Sequence, residues 1–221
     1  MHRFTREGAG PVRVRIEQLV IGGMTARDEA AIRHHVEEMA AIGVKLPNQF
    51  PFFFRVSAGF LTQGERIQVL GTDTSGEVEP GVVSLADGLW LTVGSDHTDR
   101  KVEAYSINVS KQMCPHAIGT HLWRLDEVAK HWDQLMIRSW TTRGGKRELY
   151  QEGPLALMRD PADLMQRYGG LGINTVMYGG TIGALGPLAH ADRFDMELAD
   201  PVLGRAIRHG YAIEALPVLG A

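Results

Sequence analysis

Val12-Arg13-Val14-Arg15-Ile16 alternates apolar and charged positions, the period of a strand with one buried face. Leu19-Val20-Ile21, running into Gly22-Gly23, reads as a second strand that ends in a turn. The period then changes. Thr25, with Asp28 three residues on, is placed to cap a helix whose apolar stripe is Ile32, Val36 and Met39, and Gly43 is its expected stop. Pro47 and Pro51 bracket a loop into Phe52-Phe53-Phe54, an apolar run expected to be buried. From Gln68 to Val176 the pattern is mostly that of strands. Val82-Val83-Ser84-Leu85 and Leu89-Trp90-Leu91-Thr92-Val93 are split by Asp87-Gly88, a hairpin signal. Helices are expected over Leu125 to Leu135 and over Asp160 to Tyr168, the latter with Pro161 at its first position. A hairpin tip is expected at Thr141 to Arg147 and a strand at Tyr211 to Leu216. With no repeat or linker, these elements predict one domain over residues 1–221, α+β and mainly β.

Composition narrows the function. The 221 residues carry 23 Lys+Arg against 26 Asp+Glu, a formal charge of −3, which argues against a phosphate-neutralising nucleic-acid binder. The only cysteine, Cys114, excludes an internal disulfide framework and a multi-thiolate zinc site. The basic start, Met1-His2-Arg3, never runs into the apolar stretch of a secretory signal, and no segment approaches the roughly 20 apolar residues of a membrane span. The expectation is a soluble cytoplasmic protein with neither membrane nor nucleic acid as partner. Glycine is in excess, 26 of 221 or about 12% against a usual ~7%, so sharp turns or close backbone approaches are expected.

Four groups of residues could carry chemistry. Glu77 and Glu79 are two apart, so on a strand both carboxylates share a face, about 6 to 7 Å apart at the backbone. Asp96 follows the next apolar strand. Three oxygen ligands without a soft partner suit a hard cation such as Mg²⁺ or Mn²⁺; the alternative is a solvated acidic edge. His35 and Glu38, three apart on the first helix, can meet so that one orients the other, as a general base needs; the alternative is a surface ion pair beside His34 and Glu37. Lys111 could offer positive charge to a substrate carboxylate or enolate, or be an exposed loop lysine. Gly179-Gly180-Thr181 opens a glycine-rich run to Gly186 that could bring backbone N–H groups and the Thr181 hydroxyl to an anionic oxygen, or could be only a tight turn. Consecutive Ser95-Asp96-His97 cannot form a triad, and Cys114 near His116 does not by itself make a thiol nucleophile.

The order of these groups is more informative than any one of them. His35-x-x-Glu38-Met39, Pro51 to Arg55, Glu77-x-Glu79, Ser95-Asp96-x-x-x-Arg100, Lys111, Tyr150-Gln151-x-Gly153 and Gly180-Thr181-x-x-Ala184-x-Gly186 together resemble the fumarylacetoacetate hydrolase superfamily over residues 19–200. Within it the chain is most similar to an uncharacterised bacterial branch, a domain-of-unknown-function family, through Gly-Ser-Asp-His-Thr-Asp-Arg at 94–100 and His-Trp-Asp at 131–133.

The resemblance implies a mixed β-sandwich roll, commonly a homodimer, with Mg²⁺ or Mn²⁺ on Glu77, Glu79 and Asp96. It implies that His35 and Glu38 activate water and that Lys111 lies near metal and substrate. Arg55, Gln151, Gly180 and Thr181 would face a small carboxylic acid. Superfamily members act on 2-oxo or β-dicarbonyl acids by C–C hydrolysis, decarboxylation, hydration or isomerisation. The His-Glu pair favours hydrolysis here. Decarboxylation, hydration, cleavage of an amide or lactam, or binding of a small acid without turnover stay open. Ser95, Pro80, Ile182 and Cys114 depart from the superfamily pattern, and the last two fall where substrate is read.

Overall fold

The computed structural model describes residues 1–30, 32–33, 36–37 and 49–219. Its larger sheet has ten strands. The path runs Gly10–Val14, His2–Arg6, His121–Arg124, Gly88–Ser95, Val78–Leu85, Thr175–Tyr178, Gln18–Gly23 and Phe52–Val56, with His116–Ile118 and Leu61–Thr62 joined beside Gly88–Ser95. The second sheet orders Lys146–Pro154, Met136–Arg143, Arg193–Asp200, Arg205–Leu216 and Arg66–Leu70. Parallel and antiparallel pairs are mixed: Thr175–Tyr178 runs parallel to Gln18–Gly23 and antiparallel to Val78–Leu85. This is the mainly β α+β architecture expected from the sequence.

The core explains why Val78–Leu85 is buried at every position. On one face Val78 and Val82 pack with Leu91 and Val93 against Ile137, Phe194, Met196 and Tyr211 of the second sheet. On the other, Val83 and Leu85 join Ile21, Phe54, Trp90, Leu122, Phe4 and Tyr178 in a second core inside the curl of the larger sheet. A strand covered on both sides reads as a nearly continuous apolar run, so Glu79 within it is conspicuous.

Several expected elements form as read. The Asp87-Gly88 hairpin joins the two central strands, Gly144 and Gly145 turn the Thr141 to Arg147 tip, and Pro161–Tyr168 is a helix capped by the Asp160 side chain. Others differ. Residues 29, 30, 32, 33, 36 and 37 are helical, and the Asp28 side chain accepts from the Ala30 N–H at 2.9 Å; Thr25 is buried and packs on Gly180 instead of capping. Met39 and Gly43 lie outside the described residues. The helix expected over Leu125 to Leu135 stops at Val128 and continues as 3-10 turns with a break at His131. Trp132 goes into the core while His131 turns to Asp200, 3.0 Å away, and one regular helix cannot aim both. Two short helices escaped the pattern, Arg100–Glu103 and Ile107–Gln112, capped by the Asp99 and Ser106 side chains. Among the described residues no helix is long and apolar enough to cross a membrane.

Candidate metal centre

Register builds the site. Val78 pairs with Ser95, and one step further out Glu77 and Asp96 exchange both backbone hydrogen bonds, at 3.0 and 3.1 Å. Residues directly opposite in an antiparallel pair share a face, as do residues two apart. Glu77, Glu79 and Asp96 therefore converge on one face, at the end of the core inside the curled sheet, with ligand oxygens within 4.8 Å of one another. Glu79 and Asp96 are only 2% and 1% exposed, so the triad is no solvated acidic edge. Gly81 and Gly94 complete the floor. A Cβ on Gly94 would fall on the Tyr178 ring, which lies across both glycines with its hydroxyl donating to the Ala117 carbonyl at 2.6 Å.

Three anions at this spacing need compensation. Lys111, on the helix Ile107–Gln112 and 6% exposed, donates to Asp96 Oδ2, and Arg100 lies 3.1 Å from Glu77 Oε1 while also pairing with Glu103. Among the described residues Glu79 makes no ion pair; its Oε2 accepts from the Gly180 N–H at 2.6 Å. Gly180 adopts φ +88°, a region that favours glycine, and a Cβ there would collide with Thr25 Oγ1. Burial pushes the Glu77 carboxyl above its usual range and Glu79 well above it, where Asp96 adds repulsion. Burial alone would raise Asp96 too, but Lys111 and His116 outweigh it and hold that carboxyl below the usual range. Lys111 loses by burial and gains more from Asp96 and Glu77, so its ammonium is held charged. The buried thiol of Cys114 is pushed up to about 12.

Gln151 and Thr181 lie beside the triad. The Gln151 amide oxygen accepts from the Val78 N–H and the Ser139 hydroxyl, and its NH₂ donates to Thr181 Oγ1 and the Ile182 carbonyl, at 2.7 to 3.0 Å. Thr181 donates in turn to the Val78 carbonyl at 2.7 Å. Thus Gln151 staples the glycine-rich run onto the strand that carries Glu79. Arg55 is not gathered in: it is exposed and donates to the Tyr168 hydroxyl at 3.3 Å. His35 and Glu38 lie outside the described residues.

Three contributors were missed as site residues. Arg100 entered only as a motif position, yet it pairs with Glu77. His116, fully buried, donates from Nε2 to the Lys111 carbonyl at 2.8 Å and brings Nδ1 to 3.3 Å from Asp96 Oδ1. Tyr178 closes the floor. Spacing from Asp96 and Lys111 could have flagged Arg100 and His116; nothing local marks Tyr178, whose position depends on pairing across the sheet. A cavity of about 770 Å³ opens elsewhere, among Arg124, His131, Trp132 and Met165, and shares no residue with the triad.

A family model described as "protein of unknown function (DUF2848)" matches residues 22–211. No curated protein matches the chain. Solved structures with the same fold include a 2-keto-3-deoxy-D-arabinonate dehydratase complexed with magnesium and 2,5-dioxopentanoate (17% identity, TM-score 0.66, 93% of this chain and 75% of that one). A yeast fumarylacetoacetate hydrolase family protein gives 16%, 0.59, 91% and 94%. The 4-oxalocrotonate decarboxylase of Pseudomonas putida G7, complexed with calcium and acetate, gives 16%, 0.55, 91% and 78%. The acidic triad on its paired strand ends, the curled sheet beneath it and these likenesses agree: the chain belongs to the DUF2848 family and has the fold of the fumarylacetoacetate hydrolase superfamily.

Proposed function

We propose that this protein is a divalent-cation-dependent hydrolase that cleaves a C–C bond of a small 2-oxo or β-dicarbonyl acid of the acylpyruvate kind. The observation that carries the reading is the imbalance at the triad. Among the described residues three converging carboxylates face two cations, one shared with Glu103, and the buried Glu79 has only an N–H for a partner. A hard dication answers that imbalance, and all-oxygen ligands suit Mg²⁺ or Mn²⁺. When bound, it would supply Lewis acidity to two neighbouring oxygens of the acid. The dehydratase of the same fold, with magnesium and 2,5-dioxopentanoate, supports both halves of this reading.

The chain's own groups have the following roles. Lys111, charged and fixed on Asp96, stabilises negative charge at the enolate oxygen of the leaving group. Gly180, whose N–H is on Glu79, and Thr181, held by Gln151, would bound the substrate side. From the motif, His35 oriented by Glu38 takes the proton from water, and hydroxide attacks the carbonyl. Decarboxylation is the second reading, favoured by the decarboxylase of the same fold. We expect a homodimer, as the resemblance implies, and a cytoplasmic location, as the composition suggests.

Activity screening over acylpyruvates, oxaloacetate and cyclic amides, with Mg²⁺ or Mn²⁺ and with EDTA, tests the function. Cation-dependent release of two acids from an acylpyruvate is the expected result. Stabilisation by Mg²⁺ plus oxalate without turnover of any compound would make it a binding protein. His35→Ala should abolish hydrolysis and spare any oxaloacetate decarboxylation; loss of both would refute the division of roles.

A further inference from the structure

The register that assembles the triad extends past it. Tyr178 pairs with Gly81 on one side and Ile21 on the other, and Ile21 pairs with Phe54. One step further out, the row reads Glu79, Gly180, Gly23, Phe52; the last pair is in register and the first is joined by the Gly180 hydrogen bond. All these positions face the same side of the sheet. The two glycines between Glu79 and Phe52 contribute no side chain of their own; Thr25 Oγ1 lies over Gly180 and the Phe52 ring lies over Gly23, each where a Cβ would meet it.

Phe52 is one rung of an aromatic series that starts at the metal centre. Lys111 Nζ lies 5.6 Å from the Phe54 centroid, Phe54 to Phe52 is 5.1 Å at 76°, and Phe52 to Phe50 is 6.0 Å at 55°. Phe54 is buried, whereas Phe52 and Phe50 are half-buried. The period of two puts Phe52 and Phe54 on the triad's side and sends Arg55 to the other, onto Tyr168. Among the described residues the two cations beside the triad, Lys111 and Arg100, already face Asp96, Glu77 and Glu103.

We infer that the end of the substrate remote from the metal-facing oxo acid is an aryl or bulky alkyl group lying against Phe52, so that the substrate is an apolar-tailed monocarboxylic 2-oxo acid. This rests on the reading of the triad as a cation site for 2-oxo acids. Among the described residues a second carboxylate at that end would lie against rings with no unpaired cation to meet it, and a polyhydroxylated tail would give up water for ring faces that cannot replace its hydrogen bonds. An aryl tail loses nothing in that exchange and gains offset or edge contacts.

Calorimetry with the Mg²⁺-loaded protein, by direct binding for oxalate and by the KM read from the heat of turnover for any acid that is cleaved, separates the two layers. Oxalate, which has no tail, reports the metal site. Benzoylpyruvate against acetylpyruvate reports the aromatic wall, and oxaloacetate reports tolerance of a second carboxylate. Oxalate should bind only with Mg²⁺, and benzoylpyruvate should bind about 10- to 100-fold tighter than acetylpyruvate, the scale for apolar groups in an apolar pocket. Phe52→Ala should close that gap and leave oxalate unchanged. If oxalate binds but benzoylpyruvate is no tighter than acetylpyruvate, or oxaloacetate is tightest, the tail assignment is wrong while the metal reading stands. If oxalate fails to bind with Mg²⁺, both fall. The comparison on the unmutated protein decides the matter even if Phe52→Ala does not fold.

Discussion

Asp96 receives Lys111 on one oxygen and has Thr98 and His116 at 3.3 Å from the other, so its orientation is fixed before any cation arrives. Replacing the charge while keeping the shape isolates what it contributes. Asp96→Asn should lower Mg²⁺ affinity at least about 10-fold, the scale on which ligand surroundings act, and activity should fall with it. Unchanged Mg²⁺ binding by calorimetry would remove Asp96 from the ligand set. Cys114 gives the opposite expectation. A buried thiol pushed up to about 12 holds almost no thiolate at neutral pH. It should resist a disulfide reagent in the native protein and react at once in denaturant; rapid native labelling would reopen the nucleophile question. At this scale the convergence of Glu77 with Glu79 was legible because carboxylates two apart on a strand must share a face. His116 was not, because its importance comes from a helix end that brings Lys111 back over Asp96.

The ends of Val78–Leu85 and Gly88–Ser95 are where fold and site meet. Their hairpin was readable from Asp87-Gly88, and that register alone sets Glu77 against Asp96. The floor was not readable, since it needs Tyr178 to arrive from more than 80 residues further along and lie on Gly81 and Gly94. A methyl group at Gly94 has no room beneath that ring in a strand buried on both faces. Gly94→Ala should therefore destabilise the fold by about 1–3 kcal/mol, as overpacking does. Equilibrium urea unfolding measures it, and wild-type stability would show that the ring can move aside. The aperiodic helices Arg100–Glu103 and Ile107–Gln112 escaped the reading for a related reason. With four and six residues they are too short to show a 3.6-residue stripe, and only their caps at Asp99 and Ser106 mark them.

Across the whole molecule, the two sheets meet through a buried polar seam as well as through the apolar core. The Tyr211 hydroxyl from the second sheet bonds Ser95 Oγ at 2.8 Å and His97 Nδ1 at 3.0 Å, and His97 Nε2 reaches Thr74 at 3.0 Å. Ser95 and His97 flank Asp96, so the seam fixes the segment that presents this carboxylate. It also makes folding sensitive to acid. Burial lowers the His97 pKa to about 3, and burial lowers His2 and His209 as well. Below the ordinary histidine value of about 6.5 the unfolded chain takes up protons that these folded imidazoles refuse, so stability is full above that value and declines as pH falls towards 3. His97 alone contributes a slope of up to about 1.4 kcal/mol per pH unit in that window. Glu77 and Glu79, raised by burial, bind protons more readily folded than unfolded, and their slope has the opposite sign. A comparison that leaves them in place isolates the histidine. Urea midpoints for the wild type and His97→Gln in EDTA, between pH 7 and 5, should show a shallower acid decline for the variant whatever its absolute stability. Parallel curves would mean that His97 takes its proton without unfolding the seam, and that the two sheets are held together at Asp96 by the apolar core alone.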